Sequence, residues 1–378
     1  MIGPFRPPRL AAGLACVVAL ALGGCGRGEP VRIGVAANFG DPLSAPILHA
    51  ARLAAEEINA AGGIDGRQVE LVEYDDFGDT DSAVVVASAL AASDVVAVIG
   101  HGFSGPTLAA SSVYNQAERP VAAITPSASS PEVTFAGPWT FRLCPSDLAH
   151  GAALARWTRA DLNLARGAVL FSNDDYGRGI REVFERDYTS LQGLVTESDP
   201  YLGSAPLVDP YLDRIARDGR AQFVLVAGYL EEGSAILRGL RARGLALPVL
   251  GGDGLEQIER LGPIANGTYV TSSYLPEIPT PGNRRFLEAW RARYPDLPPP
   301  NGSGVYSYTA LHLLRAVIER VGTSRQAVRD GLAEVGRGEP AFEGPLGAIR
   351  FDENGDALDP KVYIGLAMDG RMTLAEGQ

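Results

Sequence analysis

Two stretches of this chain put small hydroxyl side chains and glycines where a predicted strand hands over to the next segment. The first is Val95 to Thr107, VVAVIGHGFSGPT, with a short apolar run, a Gly100-His101-Gly102 turn and then Ser104-Gly105-Pro106-Thr107. A turn of this composition leaves backbone N–H groups and hydroxyls free at one edge of a sheet, which is where open α/β sheets bind ligands. The second is Thr125-Pro126-Ser127-Ala128-Ser129-Ser130-Pro131, directly after the apolar Val121–Ile124. Tyr176, Tyr229 and Asp253 follow later strands. Taken singly, the tyrosines are packing residues and Asp253, between glycines, is a turn residue. Together the turns suit a small anionic or zwitterionic solute held between two lobes.

Other chemistries fit the same residues less well. Gly100-x-Gly102-x-x-Gly105 has the spacing of a dinucleotide fingerprint. It follows the third predicted strand instead of the first, and no acid stands about twenty residues on to take a ribose. A phosphate-binding P-loop motif is not present. A hydrolase using Ser104 as nucleophile would need glycine where Pro106 stands, and His101 is too near in sequence to serve as the usual base. Helix N-capping is the ordinary role for such a serine. No catalysis and no cofactor are expected. The sequence holds no Cys/His cluster for a metal.

The elements that position these turns come from alternation of apolar runs and amphipathic segments. Strands are expected at Val31–Ala37, Val69–Tyr74, Val95–Ile99 and Val121–Ile124, with helices at about Ala45–Ala61, Thr80–Ala92 and from Ser104 to near Gln116. Ile47, Ala51, Ala54, Ala55 and Ile58 share one face of the first helix, which Gly62-Gly63 stops. Thr140–Leu143 is a short extended piece. The pattern restarts with a helix at Leu148–Leu162, a strand at Ala168–Phe171, a helix at Arg178–Leu191 and a proline-containing loop through Pro200, Pro206 and Pro210. A strand at Phe223–Ala227, a helix at Glu231–Arg243 and the pair Val249-Leu250 follow. The tail predicts helices at Asn283–Arg293, Val305–Val321 and Arg325–Val335, then strands at Ala348–Phe351 and Val362–Ala367. Regular strand–helix alternation predicts an α/β fold with parallel, doubly wound sheets in two lobes.

With 378 residues, 46% of them hydrophobic, the chain is long enough for two domains. Arg6 and Arg9 precede an apolar run, Leu10–Leu22, too short for a membrane span but suited to a signal peptide over residues 1–24. The run ends Leu22-Gly23-Gly24-Cys25, like a bacterial lipobox, so Cys25 is expected to carry lipid, with residues 25–30 as a tether. Cleavage there would take the net charge from −12 to −14. That balance argues against nucleic acid and against electrostatic adhesion to anionic lipid. Membrane contact is therefore expected only through the anchor. Cys16 and Cys25 lie in the leader and lipobox, which leaves Cys144 alone in the folded body and allows no internal disulfide.

In order, these residues resemble the type I periplasmic solute-binding proteins, specifically the leucine/isoleucine/valine-binding branch serving ABC importers. The resemblance rests on Ile58-Asn59-Ala60-Ala61-Gly62-Gly63-Ile64-Asp65-Gly66-Arg67, Tyr74-Asp75-Asp76, Val98-Ile99-Gly100-His101 with Ser104, Thr125-Pro126, Asp175-Tyr176-Gly177, Gly228-Tyr229, and Gly344-Pro345-Leu346 with Phe351-Asp352-Glu353-Asn354-Gly355-Asp356. It implies two Rossmann-like lobes joined by three crossovers around a ligand cleft. The crossings are expected near Leu143–Ser146, Tyr274–Glu277 and Phe342–Leu346. This divides the chain into 31–143 plus 277–343 and 144–276 plus 344–378. Ser104, Ser127 and Ser129 match positions that hold the ligand carboxylate, Tyr176 and Tyr229 match residues that cover the ligand, and Asp253 matches the acid that pairs with the α-ammonium.

Two departures stand out. Relatives of this type commonly carry a disulfide between first-lobe loops, where this chain has Gly78 and Phe103. The stretch Asn38–Pro46 lacks the usual Gly/Ser-rich turn, and the aromatic that lines the pocket in such relatives is either replaced by Leu43 or absent. The resemblance implies an exported, lipid-anchored monomer that captures an amino acid or similar small carboxylate for an ABC permease and ATPase. The alternatives are a sensor signalling through a partner and, in another class, a hydrolase using Ser104.

Overall fold

The computed structural model describes Met1, Gly3, residues 28–202 and residues 207–375. The expected signal peptide, Cys16 and Cys25 lie outside the described residues, apart from Met1 and Gly3.

In chain order the strands and α-helices are β1 (Val31–Ala37), α1 (Ala45–Ala60), β2 (Val69–Asp75), α2 (Thr80–Ala92), β3 (Ala97–Gly100), α3 (Ser104–Gln116), β4 (Ala122–Thr125) and β5 (Thr140–Arg142). Then come α4 (Asp147–Arg156), β6 (Arg166–Ser172), α5 (Asp175–Ser190), β7 (Leu194–Tyr201), α6 (Asp209–Asp218), β8 (Val224–Ala227), α7 (Leu230–Ala242), β9 (Val249–Gly251) and β10 (Thr268–Ser272). The last are α8 (Pro281–Arg293), α9 (Gly302–Val321), α10 (Arg325–Ala333), β11 (Phe342–Gly344), β12 (Gly347–Ile349), β13 (Tyr363–Met368) and β14 (Arg371–Leu374).

Two parallel sheets carry the fold. The first runs β2-β1-β3-β4-β5. The second runs β7-β6-β8-β9-β10 and adds β13 and β14, both antiparallel to their neighbours. Strand for strand the two parallel parts have the same order, and in each the chain reverses its winding once. That happens between β1 and β3 in the first sheet and between β6 and β8 in the second. Loops diverge at such a reversal and open a crevice at the strand carboxyl ends. The α/β fold of two doubly wound lobes expected from the sequence is the fold observed.

Strands buried on both faces explain the near-continuous apolar runs. β3, β4 and β8 are buried at every residue. The first sheet is covered by α1, α8, α9 and α10 on one face and by α2 and α3 on the other. The second has α6 and α7 on one face and α4 and α5 on the other.

Several elements differ from the sequence reading. Residues expected as a proline-containing loop form β7 and α6, and β10, β11 and β14 were not anticipated. β7 lies at the sheet edge, where Pro200 deprives no neighbouring strand of a donor. Pro210 falls in the first turn of α6, where a missing N–H costs no helix bond.

The third passage between lobes also comes later than Phe342–Leu346. Leu346 and Ile349 pack against the first-lobe core, and Phe351 lies inside it, in edge contact with Phe141 at 5.2 Å. Arg142 N–H donates to Gly355 O, and Ala357 N–H to Arg142 O, so this segment runs beside β5. The chain returns to the second sheet between Leu358 and Tyr363.

Candidate functional site

Loops after β1, β3 and β4 of the first lobe face loops after β6, β8 and β9 of the second, and a cavity of about 50 Å³ lies between them. By this measure a single water needs roughly 10–15 Å³, so the present geometry admits only a small solute. Ser104, Ser127, Ser129, Tyr176, Tyr229 and Asp253 all stand on its wall. Four loops at two winding reversals, plus those after β4 and β9, thus converge on one space.

On the first-lobe side, Ser104 is the first residue of α3, with Phe103 at the cap position. The N–H groups of a helix's first turn have no partner inside the helix. Ser104 does not cap; its Oγ accepts from Ser130 N–H at 3.2 Å and ties the β3 turn to the β4 turn. Ser127 Oγ donates to Gly102 O at 2.6 Å and closes the same tie from the other end. Thr125 Oγ1 accepts from Ala128 N–H at 3.1 Å and donates to His101 O at 2.9 Å. The hydroxyl-rich turn is thereby folded back on the glycine-rich one.

His101 is not directed at Ser104. Its Nδ1 lies 2.6 Å from Asp76 Oδ2 and its Nε2 3.1 Å from Tyr114 OH, all three side chains buried. This triad pins the end of β2 to the end of β3.

On the second-lobe side, Tyr176 OH donates to Asp253 Oδ1 at 3.0 Å and accepts from Gly254 N–H at 2.8 Å. The phenol so fixes the carboxylate's direction. The Tyr229 ring lies 5.0 Å from that of Tyr176 and meets Phe103 edge-on at 5.3 Å, across the gap between lobes. Gln257 Nε2 donates to Pro42 O at 2.9 Å, a second contact between lobes. Behind Asp253 stands buried His150, its Nε2 3.7 Å from Asp253 Oδ2. Burial, its largest influence, holds the imidazole below its usual range, which keeps it neutral. Asp147, fully buried nearby, has its carboxyl pushed well above the usual range by burial first and by Asp253 second.

The two departures have a structural form. A Cβ on Gly78 would stand 3.2 Å from the Phe103 ring, so the two positions expected to stand where relatives carry a disulfide lie side by side. Leu43 lines the cavity, and its carbonyl accepts from Asn301 Nδ2 at 2.9 Å and from Ser303 Oγ at 2.7 Å.

Sequence reasoning missed Ser44, Cys144, Glu256 and Asn301, which also line the cavity. Cys144 is a buried free thiol, raised well above its usual range chiefly by burial. None of these four has a local signal: they reach the cavity from a loop, a crossover, a short turn and the cap of α9.

Residues 30–370 match a family profile described as periplasmic binding protein. The chain is 30% identical to a Leu/Ile/Val-binding protein homolog 1 of Brucella suis, over 93% of this chain and 94% of that one. It is 30% identical to a leucine-, isoleucine-, valine-, threonine- and alanine-binding protein of Pseudomonas aeruginosa, over 85% and 84%. Among solved structures, an ABC transporter substrate-binding protein of Desulfitobacterium hafniense in complex with Leu superposes with a TM-score of 0.78. That match has 28% identity and covers 92% of this chain and 100% of that one.

Proposed function

This chain belongs to the periplasmic binding protein family, and we propose that it is an exported, lipid-anchored receptor that captures an amino acid and delivers it to an ABC permease. The observation that carries the reading is the division of labour across the cleft. Serine hydroxyls and a helix start line one lobe, and a carboxylate aimed by Tyr176 lines the other. A zwitterion entering such a space loses the hydration of both charges, so each charge needs a partner. The ligand carboxylate is taken by Ser104, Ser127 and Ser129 with nearby N–H groups. Its ammonium is taken by Asp253, and Tyr176 and Tyr229 cover it. Because the partners sit on different lobes, ligand binding favours closure. Cys25 carries the anchor, and the protein acts as a monomer.

The test is calorimetry and thermal shift with a panel of amino acids and aromatic acids. An α-amino acid is expected to bind and raise Tm. Asp253→Ala is expected to lose that binding, because an ammonium buried without its partner costs about 3–5 kcal/mol. Undiminished affinity in Asp253→Ala would sink the zwitterion model.

A further inference from the structure

We propose that Glu256 forms a second polar subsite in the cleft, so that this receptor prefers amino acids whose side chain ends in a hydrogen-bond donor over aliphatic ones of equal size. The inference rests on the reading of the chain as an amino-acid receptor and narrows its ligand class.

Glu256 follows the tight turn Asp253–Leu255, so two carboxyls three residues apart line one cavity. No Lys, Arg or His among the described residues lines it, so neither acid has a cationic partner in the wall. Asp253 accepts from Tyr176 and, in the reading above, takes the ligand ammonium. Glu256 shares the cavity wall with Ser44, Ser273, Asn301 and Ser303, which adds polar groups beyond those that meet the ligand's two charges. In a pocket built for an aliphatic side chain, apolar groups would stand there.

A second observation points to an occupant. Ser44 lines the cavity and is only 2% exposed, and its buried hydroxyl has no hydrogen-bond partner among the described residues. A buried hydroxyl left unpaired is costly, so a polar ligand group that reached it would relieve a cost the protein carries alone. An aliphatic group would leave it unrelieved.

Glu256 is equipped to meet a donor. Ser272 Oγ donates to its Oε1, which holds the carboxyl in place. The residue also walls a separate cavity of about 420 Å³ on the crossover side, between the Pro298–Pro300 run and the start of β14. Burial pushes the carboxyl up to about 8, so at neutral pH it is largely uncharged and can accept or donate a hydrogen bond. A site that hydrogen-bonds a ligand group discriminates sharply against the isostere lacking it, because its own polar groups are then stranded.

The pairs threonine against valine and asparagine against leucine nearly cancel size, and calorimetry on the wild-type protein at pH 7 compares them. Threonine and asparagine are expected to bind at least tenfold more tightly than their partners. Glu256→Leu, with its fold checked by circular dichroism, is expected to erase or reverse that order. Valine and leucine binding as tightly as threonine and asparagine in the wild type would overturn the inference while leaving the receptor reading intact. So would a preference unchanged in Glu256→Leu. Failure of all four to bind would instead bring down the receptor reading, and the inference with it.

Discussion

Arg142 shows how a residue with no recognisable signal can shape a binding turn. It closes β5, is 2% exposed, and directs its guanidinium backwards into the protein. The guanidinium donates to Ser129 O at 3.3 Å, Ser130 O at 2.8 Å and Thr134 Oγ1 at 2.7 Å, and pairs with Asp356 Oδ2 at 2.6 Å. The hydroxyl-rich turn after β4 is thus held from behind by a cation while Ser127 and Ser129 line the cavity. One arginine in a chain of many cannot be singled out from sequence, since its partners lie up to 214 positions away. Arg142→Met removes every one of these bonds and leaves Asp356 without its cation, with only the hydrogen bond from Thr134 Oγ1 at 2.7 Å remaining to that oxygen. A buried pair broken at one end costs about 3–5 kcal/mol, and the partial exposure of Asp356 brings the expectation to roughly 2–4 kcal/mol. Urea denaturation measures it, and a loss under about 1 kcal/mol would show that the turn keeps its shape without the arginine.

At the scale of elements, α5 presents Tyr176 to the cleft only because its first turn sits almost on the sheet. Asp174 caps the helix by accepting from Gly177 N–H at 2.7 Å. A Cβ on Gly177 would meet Ser172 O at 2.2 Å and Ala227 O at 2.8 Å, both backbone atoms at the β6 and β8 ends. Gly177→Ala therefore has to lift the helix start, and overpacking of this kind costs about 1–3 kcal/mol. Because Tyr176 moves with the helix, affinity should fall in the same variant, read by chemical denaturation and calorimetry together. Stability and affinity both unchanged would mean that the approach of helix to sheet is not what aims the tyrosine. Glycine- and serine-rich turns after apolar runs marked strand ends around Ser104 and Thr125–Ser130, but only the resemblance to a family joined these with Tyr176, Tyr229 and Asp253, all of which line the cavity. β7, α6 and β10 were not legible. Pro200 and Pro210 mask elements that tolerate them by position, and Thr268–Ser272 is a five-residue strand in which only Val270 is without a hydroxyl. The added polar wall of the cavity was hidden for a different reason: Ser44, Asn301 and Glu256 meet only once both lobes and a crossover are assembled.

At the scale of the whole molecule, closure gathers acids that lack cations, and stability should register this through pH. Burial pushes the carboxyls of Glu232 and Glu256 up to about 7 and about 8, against 4.5 for a free glutamic acid. The folded state then binds more protons than the unfolded chain between 4.5 and those values, so stability falls as pH rises through that window. Buried His150 and partly buried His49 act in the opposite sense. Both are held below 6.5, chiefly by burial, so the folded state resists their protonation and loses stability as pH drops below 6.5. Between pH 6.5 and 8 only the carboxyl effect remains among these four groups. Stability of the ligand-free protein should fall across that interval by about 1–2 kcal/mol, after discounting for partial solvent access. Glu256→Gln cannot ionise and should flatten most of the decline above pH 7, leaving the part due to Glu232. Thermal or urea unfolding at half-unit steps of pH reads both curves. A wild-type Tm that rises or stays level from pH 6.5 to 8 would show that the cleft carboxyls ionise without penalty, as they would if the two lobes stood open in solution and exposed them to water.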